Sequence, residues 1–325
     1  MTVTNDLHLP QAFVDAVGVE RHNKPGCYSA TTLNKGVKEV VLMERHWEEF
    51  SVDASDSVWA VWGTAVHKIF EDNDSANIIK VINSIVHSED EEWTKDEKIF
   101  FQKLINKIRN RSVKEDSFTE EFFEIPVSNS KVTGKVDLYN MKHGLIEDWK
   151  TASVYKVMKA DFSDWYKQGM TYAWLLAQNG FPVRRCRFIA MLKDFSFTKA
   201  DTESGYPKKP VYIYEFEVTP EELKQTGERI LKKVLELEAA EKLTDDEIPQ
   251  CLPEERWADP PKFAVMKEGR KSAVRVFEDK NLAEICLSQL GEKHYLEERP
   301  AVSRKCEKYC ICNEFCNYYK QEIKE

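Results

Sequence analysis

The sequence predicts an α/β fold, with a mixed central β-sheet flanked by helices and a cysteine-rich C-terminal module. Three observations predict it. Apolar positions at helical spacing give way to strand-like runs over 118–151, and helical spacing returns over 164–180. Two more strand-like runs and a long charged helix follow. Beyond Leu243 the composition changes, and six of the eight cysteines fall there.

Taken in order, residues 1–35 read as loop-rich around HNKPGCYSATTL. Ser29, Thr31 and Thr32 are N-cap residues for a helix starting near Leu33. DSVWAVWGTAVHKIFED places Val61, Ala65, Val66, Ile69 and Phe70 on one helical face. TKDEKIFFQKLINKIRN is a second amphipathic helix, opened by the Thr94/Glu97 capping-box pattern. FTEEFFEIPV, GKVDLYN and GLIEDWKTAS read as three strands with turn residues between them. DWYKQGMTYAWLLAQNG is a helix stopped at Asn179-Gly180. CRFIAMLKDFSF and PVYIYEFEV are two more strands, and a helix from Thr219, with Pro220 at its first position, runs to Leu243. The Pro-rich stretch TDDEIPQCLPEERWADPPKF then marks a boundary near residue 245. The expected organisation is an N-terminal region over 1–45 packing on a core over 46–245, with the module over 246–325.

The net charge of −9 argues against a protein that coats nucleic acid, yet it leaves room for a local basic groove. No apolar run approaches the roughly 20 residues that span a bilayer, and the N-terminus lacks signal-peptide regions. A soluble cytoplasmic protein is expected. Without a signal, the cysteines read as free thiols or metal ligands rather than a disulfide framework.

The chemistry concentrates in GKVDLYNMKHGLIEDWKT. A hairpin there brings Asp137 toward Asp148, and alternation puts Lys150 on the same face as Asp148. Converging carboxylates repel unless a cation sits between them, and Mg²⁺ prefers such oxygen ligands. A neighbouring lysine stabilises developing negative charge, which completes the parts for metal-assisted phosphodiester hydrolysis. Glu147 points away on the same alternation. His67, with Glu71 one turn on, offers an imidazole ligand. Gln168 and Tyr172 stand one turn apart with polar tips toward a shared face. Read singly, each of these is ordinary: a solvated hairpin, a half-buried histidine, an amphipathic helix.

Their order is not ordinary. GTAVHKIFE, GKVDLYN, IEDWKT and QGMTYAW, in sequence, resemble the PD-(D/E)XK nuclease superfamily, and its RecB-like branch in particular. YSATTL is similar to the short Ser-rich element that precedes these motifs in that branch. The resemblance covers about residues 28–180, and the C-terminal stretches are similar to phage-encoded members related to CRISPR-associated nucleases. It implies a restriction-endonuclease-like core. It also implies that His67, Asp137, Asp148 and the backbone carbonyl of Trp149 bind Mg²⁺ or Mn²⁺. Lys150 would position the attacking water, and Gln168 and Tyr172 would support DNA contact and site geometry. Val136 stands where many members have a proline, a departure common in this branch. Glu121 or Glu124 is a loose match for a further carboxylate.

CEKYCICNEFC crowds four thiols together, a pattern suited to Zn²⁺ or an iron–sulfur cluster. The resemblance implies a [4Fe-4S] cluster held by Cys306, Cys310 and Cys316 with a distant fourth ligand. Cys251 is the choice, with Cys27 and Cys312 as alternates. Cys186 and Cys286 read as packing residues. KFAVMKEGRKSAVRVF carries Lys262, Lys267, Arg270, Lys271 and Arg275, which a strand–turn–strand would present to phosphates, or simply to water.

The expected function is therefore a metal-dependent DNA nuclease, an exonuclease, acting in phage DNA recombination, replication or processing. DNA is the partner, with a single-strand-binding or recombinase protein beside it. A non-catalytic DNA-binding or assembly protein on the same fold, and an RNA-directed endonuclease, are the competing readings.

Overall fold

The computed structural model describes residues 1–18, 24–73 and 117–323, without the side chains of 71–73 and 118. The helix expected over 94–110, with its Thr94/Glu97 cap, lies outside the described residues, as does the Glu71 side chain.

The chain divides into two compact units. The first comprises 1–34 and 48–238, and the second comprises 35–47 and 239–325. From the N-terminus the chain forms β1 (Thr2–Thr4), α1 (Gln11–Val17) and β2 (Cys27–Ser29). It then leaves for the second unit through α2 (Val37–Arg45). The helix expected near Leu33 is delayed. Ser29 Oγ accepts from Thr32 N (3.1 Å) and caps only a short 3₁₀ turn, Thr32–Asn34, before α2 begins behind Gly36.

Back in the first unit, β3 (Ser51–Asp53) pairs with β1, and α3 (Val58–Asn73) follows. The main sheet uses β2, β4 (Ser117–Val127), β5 (Ser130–Asn140), β6 (Leu145–Ala152), β7 (Arg185–Leu192) and β8 (Val211–Glu217). The β6–β7 pair is parallel and the β4–β5, β5–β6 and β7–β8 pairs are antiparallel, so the sheet is mixed. The β6-to-β7 crossover carries α4 (Val154–Lys159) and α5 (Ser163–Gln178). A parallel pair requires such a crossover because its strands cannot be joined by a tight turn.

Helix α5 covers the sheet. Trp165, Met170, Ala173, Leu175 and Leu176 are buried, and Trp165 stacks on Phe188 of β7 at 5.8 Å. Gly134 of β5 sits beneath it. A Cβ there would lie 2.8 Å from Leu175 Cδ1 and 3.0 Å from the Tyr172 ring, so only glycine lets the helix come this close. After α6 (Phe197–Thr202) and β8, helix α7 (Pro220–Ala240) opens with a full capping box. Glu222 N donates to Thr219 Oγ1 (3.2 Å) and Thr219 N to Glu222 Oε2 (3.0 Å).

In the second unit, β10 (Lys262–Lys267) lies between β11 (Arg275–Phe277) and β12 (His294–Arg299), and β9 (Ala258–Asp259) pairs with β13 (Val302–Ser303). Helix α8 (Lys280–Ser288) closes a small core over Phe263, Val265 and Leu296. α9 (Arg304–Lys308) and α10 (Asn317–Glu322) carry the tail. Helix α2 is tied in by polar bonds. The buried Lys38 ammonium donates to the carbonyls of Asp245 (2.6 Å) and Ile248 (3.0 Å), and His46 meets Asp245 at 2.7 Å while stacking on Phe315. No helix among the described residues is long and apolar enough to cross a membrane.

Candidate active site

The site forms where two strands part. The β5–β6 ladder runs from Asn140↔Leu145 to Leu138↔Glu147 and stops. The next residues in register are Asp137 and Asp148. The Trp149 N–H, with no ladder carbonyl to meet, donates to Asp137 Oδ2 at 2.8 Å. The N–H and carbonyl of an extended residue face the same strand edge, so the Trp149 carbonyl faces the same gap.

Strand β5 also changes face here. Val132 and Val136 are buried before the gap and Tyr139 after it, so the alternation slips by one residue at Asp137. On β4 the residue opposite is Glu120, which drops out of a ladder that is otherwise continuous from Ser117 to Val127. Its φ is +53°, a left-handed conformation unusual for glutamate inside a strand. Such strain costs on the order of 1–3 kcal/mol and collects at functional sites.

The result is a cluster. His67 Nδ1 on α3 is 3.2 Å from Asp137 Oδ2, and single donor atoms of His67, Glu120 and Asp137 all lie within 4.8 Å of one another. Lys150 Nζ is 2.6 Å from Asp148 Oδ1 and 5.5 Å above the Phe188 ring. Phe70, one turn beyond His67, stacks on Trp149 at 4.4 Å and fixes α3 against β6. Lys135 pairs with Glu120. Gln168 Nε2 donates to Tyr172 Oη at 3.0 Å, both buried. The phenol oxygen accepts that bond, so its own proton is available to another acceptor. Glu147 faces elsewhere and pairs with Arg187 at 3.2 Å.

Three carboxylates crowd a poorly solvated place, and the protonation equilibria register it. Burial pushes the Asp148 carboxyl up to about 6, with Lys150 opposing the shift. The hydrogen bond to Asp137 raises the His67 imidazole above its ordinary value, against the effect of burial. Burial raises the Tyr172 phenol, and the charge of Asp148 adds to it. Asp148 Oδ1 is buried, with the Lys150 ammonium at 2.6 Å as its partner. The buried Asp148 carboxylate, two neighbouring acids and one imidazole make a hard donor set that fits Mg²⁺ or Mn²⁺.

The carboxylate that sequence reasoning missed is Glu120. Glu124 instead pairs with Lys131 at 2.6 Å, and Glu121 stands opposite Val136. The signal was the run Thr-Glu-Glu before Phe122, but only the β4–β5 register says which acid faces Asp137.

A family profile of the PD-(D/E)XK nuclease superfamily matches residues 42–317. The chain belongs to that superfamily. No curated protein matches it. Among solved structures it is similar to SSO0001, with 12% identity, a TM-score of 0.38, and 69% of this chain and 82% of that one covered. It is also similar to a phage-related exonuclease from Haemophilus somnus 129PT (14%, TM-score 0.25, 50% and 83% covered). A third is LHK-Exo in complex with dAMP (11%, TM-score 0.30, 70% and 92% covered).

The second unit of this nuclease-superfamily chain gathers thiols. Cys251, Cys306, Cys310, Cys312 and Cys316 line one cavity together with Glu39 and Arg256. Gly36 makes room: a Cβ there would run into the Cys251 sulfur. Burial pushes the thiols of Cys251 up to about 12 and of Cys306 up to about 11. Such thiols stay protonated until a metal displaces the proton. Cys312 differs from the rest. It is 1% exposed and its thiol donates to the Glu39 carbonyl at 3.5 Å, the part of a packing thiol. Cys27 lies on β2 in the first unit. Cys186 is fully buried and donates to the Gly169 carbonyl, and Cys286 packs in the small core.

The basic stretch forms the β10–β11 hairpin. Lys267, Arg270, Lys271 and Arg275 are exposed along it, and Lys262 is half-buried at its base. Arg275 lies 5.0 Å over the Phe277 ring.

Proposed function

We propose that this chain is a metal-dependent deoxyribonuclease of the RecB-like type, an exonuclease that degrades linear DNA from an end. The observation that carries it is the convergence of His67, Glu120 and Asp137 on one point, beside the buried Asp148–Lys150 pair. His67, Asp137, Asp148, Glu120 and the Trp149 carbonyl would hold Mg²⁺ or Mn²⁺. A divalent cation held there would polarise the phosphodiester and lower the pKa of the attacking water. Lys150 would orient that water and offset charge on the phosphate, its side chain mostly withdrawn from solvent, where charge interactions are stronger. Tyr172, fixed by Gln168, donates to a phosphate oxygen.

Cys251, Cys306, Cys310 and Cys316, which line one cavity, would hold a [4Fe-4S] cluster or Zn²⁺ and so tie the tail to the rest of its unit. Lys262, Lys267, Arg270, Lys271 and Arg275 take DNA phosphates as point charges, which would make binding salt-dependent. The setting is the cytoplasm of a phage host during DNA recombination or replication, with a single-strand-binding or recombinase protein as partner.

The test is end-labelled linear DNA, closed circular DNA and RNA of equal length, each incubated with Mg²⁺. Loss of the linear DNA alone supports the proposal. Cutting of the circle makes the protein an endonuclease, RNA cleavage alone redirects the substrate class, and no cleavage of any substrate points to a non-catalytic binding protein.

A further inference from the structure

Helix α3 turns one face to the site: His67 meets Asp137, Phe70 stacks on Trp149, and a Cβ at Gly63 would lie 3.6 Å from Thr151 Oγ1. At the start of the same helix, Trp59 and Trp62 are 56% and 55% exposed. A tryptophan left this open forgoes most of its favourable burial, and two within one turn form a patch. The patch is not purely apolar. Lys193 Nζ lies 3.9 Å over the Trp59 ring. Beyond it Asp194 Oδ1 accepts the Val154 N–H that opens α4 (2.7 Å), where Tyr155 is 59% exposed with Lys159 Nζ 5.6 Å from its ring. Neither Lys193 nor Lys159 has a carboxylate partner among the described residues.

The path leads away from the site at a measured pace. Lys193 N donates to Ala152 O at 3.0 Å, and Ala152 is four residues past Asp148 on β6. That is about 13 Å of extended strand. Exposed rings that alternate with unpaired ammonium groups, one strand-length from a phosphodiester-cutting site, match a single strand with unpaired bases. Such strands bind by stacking bases on aromatic rings while cations follow the backbone.

We propose that Trp59, with Trp62 and Tyr155, stacks the unpaired bases of a DNA strand about 13 Å along from the scissile bond, and that Lys193 takes the phosphate after the base on Trp59. On entry of the base, the ammonium leaves the ring face for that phosphate. The inference rests on the nuclease reading of the site, and it adds that the strand is single where it meets the protein.

The test measures anisotropy of fluorescein-labelled dT20 and of a blunt 20-base-pair duplex, with the full chain in chelator so that nothing is cut. Trp59→Ala should weaken dT20 binding roughly 5- to 150-fold, the loss of one stacked base. Trp59→Phe should stay within about three-fold of wild type, and the duplex should change less than two-fold with either. Lys193→Gln should flatten the salt dependence of dT20 binding by about 0.7 in log–log slope. Wild-type affinity for dT20 in Trp59→Ala, or an equal loss on the duplex, overturns the proposal and marks the patch as a protein-docking or self-association surface. That outcome leaves the nuclease reading standing if wild type still digests DNA. A wild type that digests no DNA removes the nuclease reading itself.

Discussion

Replacing Asp148 by asparagine should make the metal-free protein more stable, not less. The Asp148 carboxyl is 2% exposed, and burial pushes it up to about 6 from an ordinary 3.8. The folded state therefore holds that proton more tightly than the unfolded chain. Nothing is lost below pH 3.8, stability falls as pH rises from there through about 6, and above that the full penalty applies. The gap between 3.8 and about 6 corresponds to on the order of 3 kcal/mol. An asparagine removes this penalty. It leaves Lys150 without its partner, but that side chain is 20% exposed and reaches water, so the amide gives back only about 1 kcal/mol. The net gain is about 2 kcal/mol, or roughly 3 °C in melting temperature for a chain of 325 residues. The assay is thermal unfolding in chelator from pH 4.5 to 8. Saturating Mn²⁺ should reverse the order, because only wild type gains binding free energy, about 2.7 kcal/mol at a hundred times Kd. An Asn variant that is no more stable than wild type at pH 7.5 in chelator, with the same pH slope, would show that Asp148 carries no burial penalty.

Lys150→Ala should lower kcat by about 10²–10³ and leave KM within three-fold, read from steady-state hydrolysis, because its charge matters as negative charge develops. Glu120→Gln should weaken Mn²⁺ binding about ten-fold or more by titration calorimetry, whereas Glu121→Gln should leave it unchanged. Gly36→Ala should cost about 1–3 kcal/mol by overpacking Cys251 and lower the metal content of the purified protein. Cys306→Ser should abolish absorbance near 400 nm while Cys312→Ser preserves it; a colourless, zinc-containing wild type would replace the iron–sulfur assignment.

The hairpin was legible because its signal is local. Asp137, a short turn and the Asp148/Lys150 alternation define it without reference to the rest of the chain. The α5 boundaries, the Thr219–Glu222 cap and the outward Glu147 follow from equally short-range rules. Glu120 was not legible. Its placement depends on the β4–β5 register across a loop, and on a left-handed backbone that strand patterning assigns to no glutamate. The slip of face at Asp137 was hidden for the same reason, since alternation is assumed where the two strands in fact separate. The position of α2 was also hidden. Its residues follow the first-unit strand β2 directly, while its bonds through Lys38 and His46 go to residues some two hundred positions later.

The most direct test is single-turnover hydrolysis of end-labelled linear DNA, titrated with Mg²⁺, for wild type and Asp137→Ala. Wild type should release nucleotides in a saturable, metal-dependent way, and the variant should do so at least a hundred-fold more slowly at every Mg²⁺ concentration. Equal rates, or hydrolysis by wild type that persists in chelator, would contradict the metal-dependent mechanism.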